Sequence, residues 1–494
     1  MLALAVPWGD DEVDYLTRKH LSQHIIHASK AFEITWAVAA KWAMVYRDMG
    51  MYKKEEVCKS QVLQEMQKKY GDEHLNTLMA MSNLAVTYSN QGNMSEAEQL
   101  QVRVLKARKQ VLGVEHPDTL SAMANLAATY SDQGKMSEAE QLEVQVSEAR
   151  KQILGAAHPD TLIAMNNLAG TYLDQGKMSE AEQLQVQVLE ASKQILGSEH
   201  PDTLIAMNNL AGTYLDQGKM SEAEQLQMEV LETSKQILGP EHPHTLSAMN
   251  NLAVTYSGQG KMNEAEQLQM EVLETRKQVL GPEHPETLLA MGNLAATYSD
   301  QGKMSEAEQL ELQVLEARKQ VLGPEHPETL LAMGNLATTY SDQGKMSEAE
   351  QLQVQVLEAS KQILGPEHPD TLSAMNNMAM TYLDQGKLGE AEQLQVQVLE
   401  AREQILGPEH PHTLSAMEGL ATIYSNLGKM SEAENLYVQV VEVGKKVLGP
   451  EHPDTLSSMA SLAIMYRKQG KDAQAAELEA ELGQLEGEEE TEDE

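Results

Sequence analysis

The chain has 494 residues, with 37 basic and 75 acidic side chains and a formal net charge of −38. This charge disfavours nucleic acid and anionic membrane surfaces as partners, because both are negatively charged. The single cysteine, Cys58, excludes an internal disulfide framework and indicates a reducing compartment. No apolar run approaches the roughly 18 residues that cross a bilayer, and residues 1–8 lack the basic start of a signal peptide. We therefore expect a cytoplasmic protein.

The two ends of the chain differ from its middle. Residues 1–34 form an N-terminal segment of their own, and residues 486–494 form an acidic tail that we expect to be disordered and solvated. The three tryptophans and the single phenylalanine all lie near the N-terminus, and beyond residue 52 every aromatic residue is a tyrosine. Such uneven use of aromatic residues indicates a repeated unit in residues 35–485.

A threonine returns every 42 residues without insertion or deletion. Its copies are Thr77, Thr119, Thr161, Thr203, Thr245, Thr287, Thr329, Thr371, Thr413 and Thr455. A degenerate copy begins at Thr35 and keeps Tyr46 and Gly50 in register, which gives 11 repeats, the last of them a cap. A fixed period of this length is typical of stacked helical repeats.

The first half of each repeat predicts an amphipathic helix. In the copy that starts at Thr119, apolar residues recur at helical spacing from Leu120 to Tyr130. Asp118 or Thr119 is expected to cap the helix after a proline, and Gly134 is expected to end it.

The second half predicts another, longer helix. Ser137 and Glu140 have the spacing of a capping box, and Ala139, Leu142 and Val146 supply a buried stripe. A loop with Gly155 and a His-Pro pair follows. One such helix pair cannot bury both of its faces, so stability comes from stacking on neighbours, at roughly 1.5–3 kcal/mol per buried apolar side chain. Eleven layers spaced ~8–10 Å apart predict a body on the order of 100 Å long.

The repeat resembles the tetratricopeptide repeat. Leu126-Ala127, Tyr130, Gly134 and Ala139 match its pattern, whereas Met123 stands where that pattern has tryptophan. The tetratricopeptide pattern usually has an aromatic residue in the second helix. Tyr437 keeps it, whereas Glu143 and its equivalents Gln101, Gln185 and Gln227 replace it. The resemblance implies an all-α, right-handed α-solenoid of helix-turn-helix repeats that binds proteins and has neither catalytic activity nor a cofactor.

The 42-residue length and the LGPEHPDT loop resemble the kinesin light chain variety of this repeat. Kinesin light chains have a heptad-repeat coiled coil ahead of the repeats, and this sequence has no heptads there. Residues 9–20 instead resemble the end of the winged-helix region that precedes such arrays in fungal NB-ARC and NACHT receptors. The resemblance therefore favours an interaction scaffold or ligand-sensing array, with a kinesin light chain-like cargo adaptor as the alternative.

In tetratricopeptide arrays the first helices line a concave groove, and here one position of these helices is almost always asparagine. The row consists of Asn83, Asn125, Asn167, Asn209, Asn251, Asn293, Asn335 and Asn377, and it ends at Gly419 and Ser461. A carboxamide both donates and accepts hydrogen bonds, so such a row can hold the backbone of an extended peptide. The alternative is that each asparagine bonds an adjacent first helix.

Two further rows of the groove vary between repeats and are expected to set specificity. One contains Ser121, Ile163, Ile205, Leu289 and Leu331; the other contains Ala128, Gly170, Gly212, Val254, Thr338 and Met380. An acidic rim one turn beyond the asparagines comprises Asp132, Asp174, Asp216, Asp300, Asp342 and Asp384. The first helices of repeats two to nine hold no Lys or Arg, so we expect basic or neutral, apolar peptide segments as ligands.

Other chemistry receives little support. Ten histidines recur at the same period before the first helices, but neighbouring copies lie too far apart to share one metal ion. His20, His24 and His27 have only weak metal-ligand spacing, and no carboxylate or thiol is placed beside them. The Gly134-Lys135 turn lacks the glycine that a phosphate-binding loop requires. No nucleophile and base are paired by position, so we predict neither a metal site nor an enzyme.

Overall fold

The computed structural model describes residues 36–48, 51–450 and 452–487, which form 22 α-helices and no strand. The helices are α1 Trp36–Asp48, α2 Tyr52–Tyr70, α3 Leu75–Asn90, α4 Met94–Val111, α5 Pro117–Asp132, α6 Met136–Leu154, α7 Pro159–Asp174, α8 Met178–Ile195, α9 Pro201–Asp216, α10 Met220–Ile237, α11 Pro243–Gly258, α12 Met262–Val279, α13 Pro285–Asp300, α14 Met304–Val321, α15 Pro327–Asp342, α16 Met346–Ile363, α17 Pro369–Asp384, α18 Leu388–Leu406, α19 Pro411–Asn426, α20 Met430–Val447, α21 Pro453–Lys468 and α22 Asp472–Gly487. The prediction of an all-α solenoid is confirmed. The predictions for residues 1–34 and for the acidic tail concern segments that lie almost entirely outside the described residues.

Each repeat contributes one odd-numbered first helix and one even-numbered second helix. Every second helix packs on its own first helix and, except for the last one, also on the first helix of the next repeat. The longest continuous core runs from Leu162 to Leu336, through five successive repeats. At the N-terminal end, Trp42, Tyr46 and Cys58 form a separate small core. The stability of the array therefore comes from contacts between neighbours, as the sequence predicts.

The first helices are capped by histidine. The chain at His116 is extended, and its Nδ1 accepts a hydrogen bond from the backbone N–H of Asp118 at 3.1 Å, while Pro117 occupies the first helical position. The same bond recurs from His74 to His452. The predicted cap at Asp118 or Thr119 is therefore wrong: proline fixes the start of the helix one residue earlier, which leaves the imidazole as the acceptor.

The predicted capping box of the second helix is also absent. Helix α6 begins at Met136, so Ser137 lies inside its first turn, and the cap residue Lys135 makes no side-chain cap bond. Gly134, at φ 70°, reverses the chain, and the N–H of Lys135 bonds the carbonyl of Tyr130 at 2.8 Å. This tight turn sets where the second helix starts.

The lysine of each turn instead joins successive repeats. Lys135 Nζ lies 2.7 Å from Glu98 Oε2 in the preceding second helix and 5.3 Å from the centre of the Tyr130 ring. In the same turn, Gln133 donates to the carbonyl of Met94 at 3.0 Å. The equivalent ion pairs are Lys177–Glu140, Lys219–Glu182, Lys261–Glu224, Lys303–Glu266, Lys345–Glu308, Lys387–Glu350, Lys429–Glu392 and Lys471–Glu434. These side chains are partly exposed, so each pair contributes little by itself and acts chiefly by fixing orientation.

One position of the second helix buries a polar side chain against the next repeat. The Thr213 hydroxyl donates to Gln185 Oε1 at 2.5 Å, and the Thr171 hydroxyl donates to Glu143 Oε2 at 2.5 Å. Burial raises the pKa of the Glu143 carboxyl, an effect that the Thr171 bond only partly offsets, and the pKa of Glu311 is raised in the same way. Glutamine keeps this bond without burying a charge.

The stack coils until it touches itself. His368 Nε2 lies 2.9 Å from the carbonyl oxygen of Asn90, and His410 Nε2 lies 2.9 Å from that of Asp132, in each case 278 residues apart. We call the loops before the first helices, with their Gly and His-Pro, the loop edge. The Gln-Gly-Lys turns between the two helices of a repeat are the turn edge. Their contact, which we call the seam, joins repeats that are seven apart.

The two edges approach so closely that the turn glycines within the seam have no room for a side chain. A Cβ on Gly176 would lie 1.7 Å from the carbonyl oxygen of Leu448, and one on Gly134 would lie 2.7 Å from the His410 ring. The length predicted by adding layer spacings along a straight axis is therefore wrong, because the axis of the stack coils back on itself within seven repeats.

We predict that Gly176→Ala opens the coil whereas Gly302→Ala does not. Both glycines have positive φ, 72° and 73°, so alanine costs a similar roughly 1–2 kcal/mol of backbone strain at each. Only Gly176 faces another repeat across the seam; a Cβ on Gly302 has nothing within 4 Å. Small-angle X-ray scattering should show a larger radius of gyration for Gly176→Ala alone. Equal radii for the two variants would contradict the seam.

We also predict that Glu143→Gln stabilises the array at neutral pH, by roughly 1–2 kcal/mol. Because the folded-state pKa of Glu143 is raised above its ordinary value of 4.5, the native chain loses stability as pH rises through that raised value. The advantage of glutamine should therefore be present at pH 7 and vanish below about pH 4. Thermal melts followed by circular dichroism measure it. Gln185→Glu is the matched control and should show the opposite sign; a pH-independent difference would refute the account.

Candidate peptide-binding groove

The first helices form the inner wall of the coil. Successive first helices approach each other directly, α9 with α11 and α17 with α19, although a second helix separates each pair in the chain. Elements on the inner side of a curved stack are closer together than those outside, so this wall is concave. We call it the groove wall.

The asparagine row lies on the accessible surface of these helices. Seven members are exposed, and Asn293 is half-buried. Asn251 Nδ2 lies 3.5 Å from Asn208 Oδ1 of the preceding first helix, the kind of bond that the alternative interpretation expects. Within the described ranges, the side chains of the other seven form no hydrogen bond to the protein. Most of these carboxamides thus have both donor and acceptor free for a ligand.

Apolar side chains flank the asparagines. In the first variable row, Ile163, Ile205, Leu289 and Leu331 expose 53%, 47%, 46% and 56% of their surface, and Ser121 is half-buried. In the second row, Ala128, Val254 and Thr338 are exposed, whereas Gly170, Gly212 and Met380 are half-buried. Large exposed aliphatic residues at this regular spacing provide an apolar contact surface of the kind that marks interaction sites.

The six aspartates of the predicted acidic rim lie at the C-terminal ends of the first helices and are exposed. Although these three side chains reach solvent, partial desolvation by the surrounding protein raises the pKa of the Asp132, Asp174 and Asp216 carboxyls. The neighbouring Asp174 charge raises the pKa of Asp132 further, whereas the Ser131 hydroxyl, 3.3 Å from Asp174 Oδ2, opposes the shift there. Carboxylates held in this way favour a nearby cation.

The groove wall contributes almost no positive charge of its own. The odd-numbered helices from α3 to α19 contain neither Lys nor Arg. At the N-terminal end, Lys59 of α2 reaches the carbonyl oxygen of Asn83 at 2.9 Å, but it also forms an ion pair with the buried Glu55 at 2.7 Å. The turn lysines are paired with glutamates of the second helices.

Sequence reasoning missed the group that follows the asparagine row. Glu418 accepts hydrogen bonds from the hydroxyls of Ser458, at 3.2 Å, and Ser461, at 3.0 Å. In the sequence, Ser461 marks only a break in the row. The signal in the sequence is the replacement of Asn-Asn, as at 376–377, by Glu418-Gly419. An additional carboxylate thus lies near the C-terminal end of the groove wall.

The recurring histidines serve the helix starts. Their Nδ1 atoms accept backbone hydrogen bonds, which leaves Nε2 as the protonated nitrogen of a neutral ring. Burial in the seam lowers the pKa of His410 to about 4. Among the described residues, no three His, Cys, Asp or Glu side chains come together as metal ligands, and His20, His24 and His27 lie outside that part of the chain. No described helix has the length and apolarity needed to cross a membrane.

Comparison with known families gives matches along most of the chain. A model described as tetratricopeptide repeat matches residues 145–194, 160–236, 202–278, 247–320, 312–362, 342–404, 370–446 and 413–482. A second model with the same description matches residues 77–118 and 119–160. No curated protein matches the sequence.

Three solved structures are similar to parts of this chain. A Podosopora anserina protein, described as kinesin light chain nearly identical TPR-like repeats, is 32% identical, with a TM-score of 0.37; the match covers 42% of this chain and 98% of that one. A variant form of it gives the same identity and TM-score. BtubC (BKLC) from P. vanneervenii is 22% identical over 47% of this chain and 91% of its own, again with a TM-score of 0.37.

Proposed function

Because the chain belongs to the tetratricopeptide repeat family, we propose that it is a protein-interaction scaffold that holds an extended peptide along the asparagines of its groove wall. The observation that carries this proposal is the row of exposed carboxamides, repeated every 42 residues and mostly without protein partners.

The spacing of the row suits an extended backbone. Neighbouring repeats lie about 10 Å apart, and an extended chain advances about 3.3 Å per residue. One asparagine therefore meets every third ligand residue, where its amide can donate to a carbonyl and accept from an N–H. Contacts of this kind give affinity without regard to sequence, and the apolar rows beside them select side chains.

Charge narrows the ligand class. The aspartates of the rim and Glu418 lie near a wall whose odd-numbered helices α3–α19 have no cations of their own. We therefore propose basic or neutral, apolar segments as ligands. No catalytic residue, cofactor, metal, nucleic acid or membrane enters this proposal.

We further propose a cytoplasmic location. Its support is that the sequence contains a single cysteine, Cys58, so no internal disulfide can form, as is usual in a reducing compartment. A kinesin light chain-like cargo adaptor is the second candidate, favoured by the 42-residue period and the LGPEHPDT loop. Specific recovery of a kinesin heavy chain in a pull-down with this protein would support the cargo adaptor over the interaction scaffold proposed first.

We predict that the combined change Asn167→Ala, Asn209→Ala and Asn251→Ala weakens peptide binding at least tenfold, since three such bonds contribute roughly 0.5–1.5 kcal/mol each. The probe is a peptide selected on an array of 15-residue sequences, with affinity measured by fluorescence anisotropy. Gln141→Ala, Gln183→Ala and Gln225→Ala remove the same group from exposed positions of the second helices and should leave affinity unchanged. Equal losses in the two variants would exclude the asparagine row as the site.

We predict that the same array selects lysine- or arginine-containing and aliphatic peptides, because the rim carboxylates attract cations. Affinity for the basic peptides should fall as salt screens these charges. Selection of acidic peptides would show that the predicted charge preference is wrong. It would not bear on whether the asparagine row binds the peptide backbone. The variant Asp132→Asn with Asp174→Asn should reduce the preference for basic peptides.

A further inference from the structure

The seam uses only a few of the edges that the repeats offer. It joins the loop edge before Thr371, Thr413 and Thr455 to the turn edge of the repeats that begin at Thr77, Thr119 and Thr161. All repeats have nearly the same loop and turn sequences. Edges with the same chemistry are therefore present where the coil provides no internal partner.

Burial differs between covered and uncovered copies of the loop edge. Leu448, in the seam, exposes only 3% of its surface, whereas Leu154, at the same position of an earlier repeat, exposes 38%. Ile195 and Ile237 are exposed, but Val447, their counterpart in the seam, is half-buried. The seam thus covers an apolar strip that stays open elsewhere.

The histidines of the loop edge follow the same rule. The side chain of His368 is 6% exposed in the seam, and that of His200 is 40% exposed outside it. Both rings have Nδ1 occupied by the helix cap. At His368, Nε2 contacts a first-helix carbonyl across the seam, whereas the ring of His200 remains partly exposed.

The turn edge shows the matching pattern. Gly92 is buried against Pro369, whereas Gly302, Gly344 and Gly386 are exposed, and a Cβ on any of these three would have nothing within 4 Å. The clearance that admits a loop edge is therefore present but unfilled in the later repeats.

We propose that a second copy of this chain occupies these edges, with the open loop edge of one molecule stacked on the open turn edge of the next along the coil axis. Each contact would repeat the internal seam: an imidazole Nε2–H donates to the last carbonyls of a first helix, and aliphatic loop residues cover a turn glycine. The occupant follows from continuity with the seam, whose two surfaces are already complementary within one chain.

Such an interface joins two different surfaces, so it does not close on itself. Head-to-tail contacts of this kind give open series rather than a fixed dimer. The net charge of −38 opposes association, and added salt relieves that repulsion because screening shortens to a few ångströms at high ionic strength. Association is therefore concentration-dependent and strengthened by salt.

Sedimentation velocity of the full chain tests this directly, at protein concentrations from ~1 to ~200 µM and in ~0.1 and ~0.5 M NaCl. We expect a sedimentation coefficient that rises continuously with concentration, and more steeply in the higher salt. A monomer under all conditions would overturn the proposal. So would growth that stops at a dimer, because that indicates a two-fold interface rather than stacked edges.

Paired variants locate the interface. Ile195→Glu with Ile237→Glu places charges on the open loop edge, at sites 51% and 45% exposed, and should reduce association at least tenfold. Ile163→Glu with Ile205→Glu makes the same chemical change at groove sites 53% and 47% exposed, and should leave association unchanged. Circular dichroism verifies that both fold. Equal loss in both variants, or loss only in the groove variant, would overturn the proposal.

Discussion

The structure depends on the packing of each second helix against the next first helix. Because the same side chains meet at every step, the rotation and translation between neighbours are almost the same each time. A constant step of this kind must generate a coil. The concave groove wall, the outer second helices and the seam all follow from it, and the lysine–glutamate pairs and turn glutamines that link successive repeats hold the step constant.

The sequence predicts the repeat and its two helices well, but it predicts less well where each helix begins. The 42-residue period, the helical spacing of Leu120 to Tyr130 and the glycine turn are local signals, and the structure has them. Both predicted helix caps fail for a local reason too: proline at the first helical position makes His116 the cap, and the turn at Gly134 moves the second helix ahead of Ser137. General capping preferences do not include an imidazole acceptor.

The seam could not be predicted from the sequence. It arises from a small rotation added over seven repeats, and no single residue pattern encodes the sum. The asparagine row lies between these extremes: its period places it on one face of the first helices, and the exposed side chains agree with that placement. Which ligand it holds depends on shape and charge along the whole wall, including Glu418, whose two serine partners belong to another repeat.

A contact between repeats that are seven apart gives the array a minimum length. With seven units or fewer there is no counterpart to reach, so the molecule is an open arc whose curvature can flex. From the eighth unit onward, every added unit supplies one more contact between successive turns of the coil. Gain or loss of a single unit by unequal recombination therefore leaves the local packing intact while it adjusts stiffness in discrete steps.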